Sequence, residues 1–352
     1  MLVPHLTQSR NTVGLYASIG PELYQYDVDV DGATLIKRGT VTLPANVHYA
    51  WPHASARYLY VASSNSASGM GPAGDRHHVT AFHIDPGSGA LTPHGDPIPL
   101  PTRPIHMTTD IPSEHLLVAF SNPSGLRVYR INADATPGAE VAQPEPIDPG
   151  IYAHQVRVRL DNRSVILVTR GHDAAAGTSE EPGALKVFAY RQGRLTKEVS
   201  VAPNRGYGFA SRHLDFHPTR PLVYVSLERQ NKLDLFEFSG DTLSPAPVFH
   251  KDTLGRAGQY PGTAGCRHRS CASERPLRLR GQPRLHIHGT RWQACLCRWR
   301  KQFRCVFDRP GDRRAQFDPA RRDARYSLSH FSYRPERAPA GRRTHHAAPC
   351  EG

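Results

Sequence analysis

Three short phrases concentrate the side chains that exchange protons or carry fixed positive charge: Pro104-Ile-His106, Tyr152-Ala-His154-Gln-Val, and Ser211-Arg212-His213-Leu214-Asp215-Phe216-His217-Pro218. The third is followed by Leu222-Val-Tyr-Val-Ser-Leu-Glu228. An imidazole or a carboxylate can move a proton, and a guanidinium can stabilise an oxyanion as it forms. His53, His217 and Pro218 are read instead as residues that shape turns. Other common chemistries lack their signatures. There is no Gly-x-Ser-x-Gly nucleophile elbow and no His-Glu-x-x-His zinc helix. Asp27-x-Asp29-x-Asp31-Gly32 begins like a calcium loop, but its twelfth position is Arg38 where a bidentate Glu is needed, so it reads as a hairpin turn. Gly69-Met-Gly-Pro-Ala-Gly-Asp75 lacks the Gly-Lys-Ser/Thr end of a phosphate loop and reads as a connection. No metal or other cofactor is expected.

The elements that must position these phrases are strands. Short β-rich runs recur at Leu15-Tyr-Ala-Ser, Tyr58-Leu-Tyr-Val-Ala-Ser, Leu116-Leu-Val-Ala-Phe-Ser, Val165-Ile-Leu-Val-Thr and Leu222-Val-Tyr-Val-Ser-Leu, each bounded by polar or turn residues. With Tyr16, Tyr60, Val118, Val168 and Tyr224 as equivalent points, the spacings are 44, 58, 50 and 56 residues, the period of a propeller blade. Most runs are followed by a second, alternating strand, such as Val79-Thr-Ala-Phe-His-Ile or Leu185-Lys-Val-Phe-Ala-Tyr. Helices should be scarce, because no long stretch shows a 3.6-residue apolar period. The reading is an all-β propeller with about five blades.

The chain has 352 residues and a net charge of +13. That charge is divided unevenly. Residues 1–254 hold 22 Lys and Arg against 24 Asp and Glu, whereas residues 255–352 hold 22 against 7. All six cysteines lie in the second part, and 21 of its 22 basic residues are Arg. The domain reading is therefore a propeller over 1–254 and an Arg/Cys-rich segment over 255–352. No apolar run is long enough to span a bilayer, and the opening residues lack the pattern of a secretory signal, so no membrane is expected and the expected compartment is the cytoplasm.

The Arg212 phrase with its following Glu228 resembles a signature of the bacterial seven-bladed β-propeller lactonase family. There a Gly-Pro-Arg-His-Leu-x-Phe-His-Pro phrase precedes a strand and a Glu. Here Ala210-Ser211 stands in place of Gly-Pro. The phrases at His106 and His154 are similar to earlier histidine phrases of that family. The resemblance covers residues 13–254. It implies His154, Arg212 and Glu228 as working residues, with His213 and His106 as substrate-binding candidates, and a small-molecule lactone as partner. The implied activity is 6-phosphogluconolactonase-like opening of a carboxylated or phosphorylated sugar lactone. The alternatives are a lactone-forming carboxymuconate-type cycloisomerase and a non-catalytic propeller scaffold.

Residues 255–352 invite a zinc-bound nucleic-acid module through Cys266-x4-Cys271, His286-x-His288, Cys295-x-Cys297 and Cys305, but most spacings depart from zinc knuckles. With one Val and one Ile in 98 residues, the segment has little to bury and reads as disordered or irregular. No nucleic-acid partner is expected. The composition fits out-of-frame translation of GC-rich DNA. Read one base later, codons for Trp292 to Arg309 permit Gly-Lys-Pro-Val-Tyr-Ala-Gly-Gly-Glu-Asn-Ser-Phe-Ala-Val-Tyr-Ser-Ile-Asp, a strand, a turn and a strand. On this reading the last two blades are missing, and poor solubility and little activity are expected.

Overall fold

A computed structural model describes residues 12–29, 32–66 and 72–253, with the backbone of 294–298 and 302–305. Apart from a short 3-10 turn at Pro203–Gly206, the regular structure of these residues is all β, and among them no helix is long and apolar enough to cross a membrane. The proposed zinc ligands Cys266, Cys271, His286 and His288 lie outside the described residues, as does part of the Gly69–Asp75 connection.

Five antiparallel sheets follow one another along the chain. The first holds β1 (Thr12–Ile19), β2 (Glu22–Asp29) and β3 (Thr34–Thr42). The second holds β4 (Asn46–Pro52), β5 (Tyr58–Ser64) and β6 (His77–Ile84), edged by the short β7 (Leu91–Pro93) and β8 (Ile98–Pro99). In the third are β9 (Pro104–Thr109), β10 (His115–Ser121), β11 (Ser124–Ile131) and β12 (Pro137–Glu140). The fourth comprises β13 (Ala153–Val158), β14 (Ser164–Thr169), β15 (Ala184–Arg191) and β16 (Arg194–Val201). The fifth has β17 (Ser211–Phe216), β18 (Leu222–Leu227), β19 (Lys232–Ser239), β20 (Thr242–Leu243) and β21 (Phe249–Asp252). The first strands of sheets two to five stand side by side, β4 against β9, β9 against β13 and β13 against β17, as successive propeller blades require. In sheet one the matching edge of β1 is taken by β22 (Ala294–Arg298), itself paired with β23 (Gln302–Cys305).

The second strands of blades three and four carry long apolar runs because both of their faces are buried. In β10, Leu116, Val118 and Phe120 enter one core while Leu117 and Ala119 enter the next. In β14 the same division sends Val165 and Leu167 one way and Ile166 and Val168 the other. Period-two alternation of a strand thus feeds two inter-blade cores rather than one core and solvent.

The imitation of a calcium loop is a hairpin. Gly32 N–H donates to Asp29 Oδ1 across 3.0 Å, and Arg38, in the position a calcium-binding Glu would occupy, donates to Asp27 Oδ2 across 2.6 Å.

Candidate active site

The first strands of blades two to five share one irregularity near their starts. The pairing of each with its second strand skips one residue, leaving a bulge at His48, Ile105, His154 and Arg212 respectively. A bulge re-aims the extra side chain and is common beside active sites. His154 and Arg212 therefore occupy equivalent positions on adjacent blades. Each is preceded by two residues by a left-handed backbone, Tyr152 at φ 56° and Ala210 at φ 41°. At Ala210 that conformation favours Gly, the residue of the family phrase at this position. The carbonyl of Ala210 accepts from Glu228 N–H across 3.0 Å and so helps to fix where Glu228 starts.

The second strands end in a matching ring. The register places Ser64, Ser121, Arg170 and Glu228 at equivalent points, each just past the residue that pairs with the position before the bulge. Arg170 and Glu228 are thus neighbours from adjacent blades with opposite charge. Glu228 Oε2 accepts from Arg212 Nη1 at 2.6 Å and from Arg170 Nε at 2.7 Å. Burial alone would raise the Glu228 carboxyl, but the Arg212 charge and the hydrogen bonds from both arginines outweigh it and hold the group below the ordinary carboxylate range.

The two arginines differ in what they have left to give. Arg170 engages all three of its nitrogens, since Nη2 also donates to Asp173 Oδ2 at 3.0 Å and Nη1 to the Gly171 carbonyl at 3.3 Å. Asp173 is in turn held by Arg229, which also reaches Glu180. Arg212 donates to Glu228 through Nη1, and among the described residues its Nε and Nη2 have no protein partner.

His154 is buried, with its ring 4.9 Å from that of His213 and 6.4 Å from that of Tyr152. His213 follows Arg212 directly on β17, so the strand that carries Arg212 also carries the imidazole that meets His154. His106 sits elsewhere on the ring. It is buried on β9 against Tyr49 at 4.1 Å and Trp51 at 6.1 Å, both on β4. Further along the same strands, Arg157 Nη2 meets Asp215 Oδ1 at 3.0 Å, and its guanidinium lies 5.3 Å from the Trp51 ring on β4.

The structure thus joins Arg212 with Glu228 and His154 with His213. Reasoning from sequence missed Arg170, Asp173 and Arg229. The signal that could have found Arg170 was its place directly after the Val165–Thr169 run, matching that of Glu228 after Leu222–Leu227.

This arrangement can bind an oxygen that becomes negative and pass a proton to or from a nearby imidazole. The protein matches the family model described as "Lactonase, 7-bladed beta-propeller" over residues 10–265. It is similar to 6-phosphogluconolactonases of Erwinia tasmaniensis, 27% identical over 46% of this chain and 45% of that one, and of Cronobacter sakazakii, 27% identical over 61% and 62%. It spans about half to two thirds of the length of these curated relatives. In fold it resembles the periplasmic gluconolactonase of Pseudomonas aeruginosa, with a TM-score of 0.56 and 19% identity over 74% of this chain and 73% of that one.

Proposed function

The chain belongs to the seven-bladed β-propeller lactonase family, and from that premise we propose that it hydrolyses a carboxylated or phosphorylated sugar lactone. The observation that carries the reading is the Arg212–Glu228 pair, in which a fixed carboxylate anchors a guanidinium that still has two donor nitrogens to offer. Water adds to the lactone carbonyl carbon and gives its proton to His154. The carbonyl oxygen becomes an oxyanion facing Arg212, and the ring C–O bond then breaks as the proton passes to the leaving alkoxide, giving a hydroxy acid. Preorganised donors at such an oxyanion are the largest usual source of acceleration. Glu228 is not the base, because its two cations stabilise the ionised form that would have to accept the proton. The compartment in this reading is the cytoplasm, which fractionation of the producing cell tests. A panel of phosphorylated and carboxylated lactones, followed by acid release in protein with the shifted frame restored, tests the activity. Turnover of one class is expected, and no turnover across the panel would overturn the reading.

We also infer that the blades which complete the ring are encoded one base out of the translated frame beyond about Leu254, and that 255–352 is not a domain. The shifted reading of Trp292 to Arg309 as strand, turn and strand supports this, and its two strands overlap the positions of β22 and β23. Sequencing the coding DNA through this region is the test. An altered base that restores Val-, Tyr- and Gly-rich blades is expected, and a confirmed frame with no such blades beneath it would overturn the inference.

A further inference from the structure

We infer that Arg170 is a positioning residue for Arg212, acting through the Glu228 oxygen they share; the inference rests on the lactonase reading for its catalytic meaning, but not for its geometry. A carboxylate held by a single arginine could rotate with it, and the pair would then wander together. Glu228 instead has a second partner on another blade. Arg170 is fixed at three points, by Glu228, Asp173 and the Gly171 carbonyl, and its side chain is largely buried. Asp173 cannot swing away from it, because Arg229 holds the other carboxylate oxygen and is itself tied to Glu180. Glu180 also accepts from Gly208 N–H at 2.6 Å, which attaches the chain entering β17 to the same group. The result is an unbroken line of alternating charges, Arg212, Glu228, Arg170, Asp173, Arg229 and Glu180, running between blades four and five. Arg212, which ends the line, keeps two nitrogens without a protein partner among the described residues, Nε and Nη2. Each of the three Arg170 nitrogens already holds a protein partner, so its contribution passes through Glu228.

Rigid placement of a catalytic donor matters because a displacement of about 1 Å can cost on the order of 100-fold in rate. Lys at position 170 would keep the charge but not the planar fork, so it should restore only part of the effect.

The test uses the full chain with Arg170→Gln, Arg170→Lys and Glu228→Gln. Arginine labelling by phenylglyoxal, read by peptide mass spectrometry, reports how freely the Arg212 guanidinium is held and needs no turnover. Arg212 should label several-fold faster in Arg170→Gln and Glu228→Gln than in the parent, with Arg170→Lys between, at a temperature where melting curves show all four proteins folded. In parallel, kcat for 6-phosphogluconolactone should fall at least tenfold in Arg170→Gln while KM changes little. Unchanged Arg212 labelling in Arg170→Gln would overturn the inference, as would an unchanged kcat in a parent that turns over lactone. If Arg170→Gln does not fold, Arg170→Lys carries the same comparison, and labelling equal to the parent counts against the inference. Absence of turnover in the parent would bear on its missing blades or on the lactonase reading, and labelling still decides the role of Arg170.

Discussion

Arg212 Nη1 donates to Glu228 Oε2 across 2.6 Å, linking a bulge residue at the start of one strand to the residue just past the end of its partner. The same oxygen is shared with Arg170. Replacing Glu228 by Gln keeps the shape but leaves Arg212 without its counter-charge and Arg170 with Asp173 alone. Removing one partner of a buried ion pair typically costs about 3 kcal/mol. Glu228→Gln should therefore lower the denaturant midpoint by a corresponding amount, whereas a midpoint equal to the parent's would show that the pair is not held as described.

The pH dependence of stability follows from the same carboxylates. Glu228 and Asp173 are both held below their ordinary values: burial opposes this, but the neighbouring arginines outweigh it. Folded protein thus binds their protons less readily than unfolded chain. The stability they contribute is intact above their unfolded values, about 4.3 for Glu and 3.9 for Asp, and is lost as pH falls through the lower folded values. His53 and His77 are also lowered, chiefly by burial, and their contribution declines below about pH 6.5. Asp234 is raised by burial and acts in the opposite sense. Comparing Tm between pH 7 and 3 for the parent and Glu228→Gln isolates the first effect. The parent should lose more than the variant below about pH 4.5, the window set by the unfolded carboxylates, and parallel curves would refute the assignment.

Ala210 adopts a left-handed backbone at φ 41°, directly before the strand that carries Arg212. A Cβ in that region is strained, and Gly is not. Ala210→Gly should therefore stabilise the protein by about 1 kcal/mol, seen as a rise in Tm of roughly 3 °C. A fall in Tm would mean that the strain is relieved in a way the backbone does not show.

How far the fold was legible in the sequence depended on the strand. Runs such as Leu116–Ser121 and Val165–Thr169 stand out because both faces are buried, and their apolar continuity survives in the sequence. The first strands of the blades do not stand out. Their bulges at His48, Ile105, His154 and Arg212 interrupt alternation where the polar site residues enter. His154 and Arg212 were found by family phrase rather than by pattern. Counted from these bulges, Val168 and Tyr224 are not true equivalents, since the register aligns Val168 with Ser226. Arg170 carries no phrase of its own, and its importance emerges only when two blades are placed side by side.

The most direct test of the account is the rate of 6-phosphogluconolactone opening in protein with blades six and seven restored by the shifted frame, compared with its Arg212→Ala and His154→Ala variants. Loss of an oxyanion donor typically costs on the order of 100- to 1,000-fold, and loss of a general base on the order of 100- to 10,000-fold. The account predicts falls of those sizes with melting curves close to the parent's. Hydrolysis at the parent's rate in Arg212→Ala would contradict it.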